Sequence, residues 1–152
     1  VSAGALTGVY LDTSALYAVF DADDRAHEAA ARAWEELLGG EASLHTGSYV
    51  LVETTALLQR RLGIAAVDAF TTFVLPWVRI TWIDESLHAQ AVSGLLAAGR
   101  RDLTLVDCAG FVLMRRLGLR TAFTLDRHFA EQGFEVLPAA DRPGTDRAYP
   151  PE

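Results

Sequence analysis

The chain has 152 residues, 51% of them apolar, and a formal charge of −7. That length suits one domain with a core able to stand without crosslinks, and the single cysteine, Cys108, excludes an internal disulfide. No apolar run reaches the roughly 20 residues of a membrane-spanning helix, and the start of the chain lacks the zones of a signal peptide, so the sequence reads as a cytoplasmic protein with no membrane partner.

The acidic balance argues against nucleic-acid binding by overall charge, while leaving room for a local basic rim around an acidic centre. All thirteen basic residues are Arg, and Lys and Asn are absent. The pairs Arg60/Arg61, Arg100/Arg101 and Arg115/Arg116 fall near expected helix C-termini, where they complement the helix dipole; a phosphate-binding rim is the other reading.

In chain order, Gly8 to Leu11 reads as a short apolar strand leading through Asp12, Thr13 and Ser14 into a helix ending at Phe20. Apolar residues at Ala29, Ala30, Ala33, Trp34, Leu37 and Leu38 follow helical spacing and predict an amphipathic helix from Asp24 to Leu38, closed by Gly39-Gly40. A strand at Ala42 to His45 precedes Ser48, a plausible cap for a helix to Leu62. Another helix from Ala65 to Leu75 stops near Pro76.

Val78 to Ile83 reads as a strand, Asp84 opens a helix to Ala98, and Thr104 begins a helix through Leu117 with Gly118 behind it. The strand Arg120 to Thr124, a short helix capped by Asp126, and a last strand Glu135 to Leu137 complete the series. Strands alternating with helices predict a three-layer α/β/α domain around a central parallel sheet of four to five strands. The domain spans residues 1–137, and the Pro-containing segment 138–152 reads as a flexible tail.

Four acids, Asp12, Glu53, Asp107 and Asp126, stand in apolar sequence where strands turn into helices or helices open. In a parallel sheet, ligands gather outside the carboxyl ends of the strands where strand order reverses, so the four can converge. Each has a structural explanation of its own. Asp12 and Asp126 are placed as helix N-caps, and Thr104-x-x-Asp107 has capping-box spacing. Glu53 lies three residues after Val50 and four before Leu57, on what reads as the buried stripe of its helix, with no partner at helical spacing. A buried carboxylate needs a cation or a hydrogen-bonded partner, and an oxygen-only donor set suits Mg²⁺ or Mn²⁺ better than Zn²⁺.

The blocks LDTSAL, YVLVETTALL, LTLVDCAGFVLMRRLG and AFTLDRHFAEQGF resemble, in order and spacing, those of PIN-domain ribonucleases, most closely the VapC-like toxins of type II toxin–antitoxin modules. The resemblance spans about residues 8 to 137. It implies a Mg²⁺-dependent endoribonuclease (Mn²⁺ being the other candidate ion) acting on RNA, usually a homodimer, and inhibited by a cognate VapB-like antitoxin. Carried over, Asp12, Asp107 and Asp126 are the metal-holding acids, and Glu53 joins them as a catalytic residue that holds or deprotonates the attacking water, a role that apolar surroundings would favour. Thr13, Ser14 and Thr104 match supporting hydroxyls. Arg127 and His128 are candidate RNA contacts or a surface pair beside a cap, and Asp102 is either a further acid or a solvated loop residue. His27, His45 and His88 show no ligand spacing.

The rival reading is a catalytically silent PIN-like module that binds RNA or protein. Receiver domains resemble this fold but rely on a Lys that this chain lacks, and the aspartate-nucleophile phosphatase pattern wants an acid where Ser14 stands. Trp34, Phe70, Phe73 and Trp77 read as core residues first and as a dimer contact or antitoxin groove second.

Overall fold

The computed structural model describes residues 7–139. Five parallel strands, β1 (Gly8–Leu11), β2 (Ser43–Gly47), β3 (Val78–Thr81), β4 (Thr121–Phe123) and β5 (Glu135–Leu137), form one sheet in the order β3-β2-β1-β4-β5. The helices are α1 (Thr13–Phe20), α2 (His27–Gly39), α3 (Ser48–Leu62), α4 (Ile64–Ala69), α5 (Glu85–Ala98), α6 (Leu105–Leu117) and α7 (Arg127–Glu131). From β1 the chain winds outward to β3, then crosses back to β4 and β5. Because parallel crossovers are right-handed, α1–α4 cover one face and α5–α7 the other, in keeping with the packing of α1 on α2 and α3, and of α6 on α5 and α7. This is the three-layer parallel architecture expected from the alternation of elements.

Strand periodicity sorts the core. On β1, Val9, Tyr10 and Leu11 are all buried, as befits a central strand covered on both faces. Leu11 pairs in register with Phe123, and Phe123 meets Trp34 of α2, with ring centroids 6.1 Å apart. Tyr10 points the other way, stacking on Phe129 of α7 at 5.9 Å. Phe129 also receives Phe111 of α6 edge-on at 4.9 Å. Gly110 makes room for Tyr10: a Cβ there would stand 2.9 Å from the phenol oxygen.

Three local expectations are corrected. Ser48 does not cap α3; Gly47 occupies that position, and the Ser48 hydroxyl accepts the Ile83 N–H at 2.9 Å, tying α3 to the chain leaving β3. Pro76 does not simply end a helix. The α-helical part of that segment stops at Ala69, continues as a π turn over Phe70–Val74, and tightens to a 3₁₀ turn, Leu75–Trp77, that contains the proline. The wider turn lets Phe70 and Val74 both face the core while Phe73 and Trp77 stay 69% and 66% exposed, so only Trp34 and Phe70 of the four expected core aromatics are buried. Most of the expected tail, residues 140–152, lies outside the described residues. No helix among the described residues is long and apolar enough to cross a membrane.

Candidate metal centre

The order in which strands are added reverses at β1 and β4, and the crevice at their carboxyl ends is where such sheets bind ligands. Asp12 follows β1 and holds its place in the ladder, its N–H donating to the Phe123 carbonyl at 2.9 Å. Its carboxylate makes no cap bond to α1. It accepts instead from Ser14 Oγ at 2.7 Å and from Thr124 Oγ1 at 2.8 Å. Those hydroxyls accept in turn from the loop after β4: Thr124 Oγ1 from the Asp126 N–H and Ser14 Oγ from the Leu125 N–H, both at 2.9 Å. The two strand ends are thus stitched into one rigid edge. Asp12 is buried, and that burial pushes its carboxyl up, against the opposing hydroxyl bonds and with the help of the Asp126 charge.

Asp107 does what the capping box requires. Its Oδ2 accepts the Thr104 N–H and its own N–H donates to Thr104 Oγ1, each at 3.1 Å. The carboxyl is nevertheless buried and faces the other acids. Burial, with the Asp126 and Asp12 charges adding, pushes it up to about 6 against the Thr104 backbone bond. Asp126 caps α7 by accepting the His128 N–H at 2.9 Å. Capping and convergence coexist, because each carboxylate has lone pairs that the cap leaves free.

His128 departs from the surface role in which a cap-side pair with Arg127 would place it. Its side chain is only 9% exposed, with Nδ1 2.6 Å from Asp126 Oδ1 and 4.0 Å from Asp107 Oδ2. Its Nε2 lies 3.1 Å from Asp102 Oδ2. Nδ1 is buried yet has no partner in hydrogen-bonding geometry. Asp107, Asp126 and His128 each offer a donor atom within 4.8 Å of the others, a set that could hold a metal ion, and neither Asp12 nor Glu53 joins it. Where the sequence led to an oxygen-only donor set, this cluster also contains a ring nitrogen. Asp102 is neither a bare loop residue nor a member of the cluster. It receives a bidentate grip from Arg100, at 3.1 and 2.8 Å, and holds the back of the His128 ring. That bond is the main reason His128 is shifted upward, while the Arg100 guanidinium is the main reason Asp102 is held well below the usual carboxylate range.

Glu53 requires a correction. The buried stripe of α3 is Val50, Thr54 and Leu58, at i, i+4, i+8, and Glu53 is exposed on its flank. The apolar surroundings expected for it are absent. Glu53 still belongs to the same neighbourhood, since its charge, with those of Asp12 and Asp107, helps to raise the buried Tyr10 hydroxyl beneath the site, where burial is the largest cause. Thr13, buried at the start of α1, accepts from Thr54 Oγ1 at 3.1 Å, locking α1 to α3 rather than touching an acid.

Beside the centre runs an open groove of about 490 Å³. Thr124, Leu125 and Asp126 form its inner wall, and Arg25 and Arg127 lie on its rim. Arg127 is 75% exposed and only loosely held by Asp102 at 3.4 Å and Glu131 at 3.7 Å, so its guanidinium is available to an anion.

Two residues of the site, Thr124 and Tyr10, read from the sequence only as strand residues. Thr124 had a signal: a hydroxyl residue two before a capping acid at a strand end is placed to bind both the cap's N–H and a neighbouring carboxylate. The ring orientation of His128 had none.

The donor chemistry fits a divalent cation: carboxyls that raise one another, and a buried nitrogen with no protein partner, converge on one crevice. The PIN-domain family profile matches residues 9–135. Over 132 residues the chain is 34% identical to the 23S rRNA-specific endonuclease VapC20 of Mycobacterium tuberculosis, covering 86% of this chain and 98% of that protein. The crystal structure of M. tuberculosis VapC20, described as a Sarcin-Ricin loop cleaving toxin, superposes with a TM-score of 0.75 at 32% identity, over 84% of this chain and 96% of that one. FitAcB from Neisseria gonorrhoeae shares the fold at a TM-score of 0.62 and 18% identity, over 84% and 95% of the two chains, and a toxin–antitoxin complex from Klebsiella pneumoniae does so at 0.56 and 14%, over 79% and 88%. The chain is a member of the PIN-domain family, of the VapC-like kind.

Proposed function

We propose that this protein is a metal-dependent endoribonuclease, the toxin of a toxin–antitoxin pair, and that it hydrolyses a phosphodiester in an exposed loop of ribosomal RNA. The observation that carries the reading is the convergence of buried Asp12 and Asp107 with Asp126 at the sheet's switch point. The substrate class follows VapC20, named as specific for 23S rRNA. Asp107 and Asp126 would hold Mg²⁺ or Mn²⁺, with Asp12 beside them directly or through water. Such an ion neutralises charge growing on the phosphoryl oxygens and makes an attacking water more acidic.

The chain's own residues do the rest. Ser14 and Thr124 keep the Asp12 carboxylate aimed at the crevice. Glu53, exposed on the flank of α3, holds or deprotonates the attacking water. Arg25 and Arg127 bind flanking phosphates along the groove. Water attack forms a new P–O bond and breaks the bond to the ribose 3′ oxygen, leaving 5′-phosphate and 3′-hydroxyl ends.

The partner in this reading is a small antitoxin presenting an amphipathic helix, and the assembly is a homodimer. Support comes from the toxin–antitoxin complex among the structural relatives and from Phe73, Trp77 and Trp82, each about two-thirds or more exposed, a density of bare aromatics that a soluble chain usually covers.

The test is incubation of antitoxin-free protein with intact ribosomes and with a mixed RNA pool, with and without Mg²⁺ or Mn²⁺, beside folded Asp12→Ala and Asp107→Ala variants. Metal-dependent cuts that both substitutions abolish are expected. Cuts that persist in both variants would move the site elsewhere, and no cleavage of any RNA by folded protein would favour the silent binding module.

A further inference from the structure

We propose that His128 is a direct metal ligand through Nδ1, which turns the centre from an all-oxygen site into a mixed nitrogen–oxygen one that favours Mn²⁺ over Mg²⁺. The proposal deepens the metallonuclease reading and rests on it only for the presence of a cation.

Three observations carry it. First, Nδ1 is buried and unpartnered, although it lies 2.6 Å from Asp126 Oδ1 and 4.0 Å from Asp107 Oδ2. The Asp126 oxygen is close but not in hydrogen-bonding geometry, and Nδ1 lies within 4.8 Å of a carboxylate oxygen from each of Asp107 and Asp126. Second, Nε2 is held from behind by Asp102 at 3.1 Å, and Asp102 is clamped by Arg100 through two bonds. A carboxylate that accepts the Nε2 proton leaves the Nδ1 lone pair free for a cation, the arrangement by which ligating histidines are usually oriented. Third, the spacing fits. Ligands about 2.1 Å from an octahedral ion stand about 3 Å apart when adjacent and about 4.2 Å apart when opposite, so the two separations from His128 Nδ1 are within a few tenths of an ångström of adjacent and opposite positions, and all three donor atoms lie within 4.8 Å of one another.

The chemistry then sets the preference. Mg²⁺ is a hard ion that keeps oxygen and water ligands, whereas first-row transition ions accept an imidazole nitrogen more readily, Mn²⁺ least among them but more than Mg²⁺. No other histidine competes: His27 Nδ1 binds the Ala18 carbonyl under α1, His45 sits within β2, and His88 contacts Tyr49.

The experiment loads the RNA-free full-length chain with Mn²⁺ and reads pulsed electron paramagnetic resonance for coupling to nitrogen, in natural abundance and with ¹⁵N-labelled histidine. Affinities for Mn²⁺ and Mg²⁺ are titrated in wild type, His128→Gln and Asp102→Asn, with thermal melts to verify folding. Expected are a histidine nitrogen coupling that His128→Gln abolishes, Mn²⁺ affinity lowered about 10- to 100-fold in that variant, and Mg²⁺ affinity changed about threefold or less. Asp102→Asn should keep the coupling and weaken Mn²⁺ less. Bound Mn²⁺ without nitrogen coupling, coupling that survives His128→Gln, or equal losses for both ions would overturn the proposal. Metal-dependent RNA cleavage without nitrogen coupling would remove the ligand and leave the nuclease. Coupling in a protein that cuts no RNA would leave the ligand and remove the nuclease.

Discussion

Replacing Asp107 by Asn should stabilise the metal-free protein while destroying its activity. Asp107 is pushed from its ordinary 3.8 to about 6, mainly by burial and then by the charges of Asp126 and Asp12. At about 1.4 kcal/mol per factor of ten in the ionisation constant, ionising it in the fold at pH 8 costs about 3 kcal/mol relative to the unfolded chain. The sign is that of a raised pKa: its contribution is fully favourable below about pH 4 and is lost as pH rises through about 6. His128, also raised, works in the same direction, whereas Asp102, Asp21 and Glu131, all lowered, matter only below the carboxylate range. His45 in β2, lowered by burial and the Arg79 charge, works in the opposite direction in the same range, so comparing the variant with wild type from pH 5 to 8 is what isolates Asp107.

An Asn side chain keeps an oxygen for the Thr104 N–H and carries no charge. In chelator, urea denaturation should show Asp107→Asn more stable than wild type by about 3 kcal/mol at pH 8 and by about half that at pH 5. Restoring Mn²⁺ at pH 8 should close the gap, because an ion bound to the native state stabilises wild type and has lost a ligand in the variant. A variant no more stable than wild type at pH 8, or a gap independent of pH from 5 to 8, would refute the claim that these carboxylates are held together at a cost.

Thr124→Val removes a donor to Asp12 and the acceptor of the Asp126 N–H; it should cost about 1–3 kcal/mol of stability and lower cleavage at saturating RNA at least about tenfold, read from urea melts and initial rates. Arg25→Ala and Arg127→Ala should each weaken RNA binding with little change in melting temperature, and each should reduce the slope of log affinity against log salt by about 0.7, measured by fluorescence titration with a catalytically dead Asp12→Ala background. Gly110→Ala would bring a methyl group within 2.9 Å of the Tyr10 hydroxyl oxygen and should destabilise by about 1–3 kcal/mol, seen as a lowered melting temperature.

The order of strands and helices was readable because each boundary carries its own chemistry. Asp84 accepts the Leu87 N–H at 2.8 Å and Gly99 turns left-handed at φ 62° to end α5, both as the local sequence demands. The acids were readable for the same reason, each standing at a strand-to-helix junction. What failed was side-chain direction. Val50 and Leu57 suggest a stripe that would include Glu53, because Thr54, the true member, is polar; Thr54 is buried with its hydroxyl satisfied by Thr13. The π turn after Ala69 was invisible since no single residue dictates it.

His128 shows most sharply where sequence reasoning stops. A histidine two residues after a capping acid in a five-residue helix carries no periodic signal, and surface exposure is the natural expectation. Its burial is decided by distant residues. Phe129, the next residue, is drawn fully inward by Tyr10 and Phe111, and this seats the first turn of α7 against the mouth of the site. Arg100 and Asp102, from the loop before α6, then close over the ring from outside. The aromatic core on that face of the sheet therefore aims the one ring nitrogen that the acids lack, so truncating Phe129 should disturb metal affinity as well as stability, although it touches no acid.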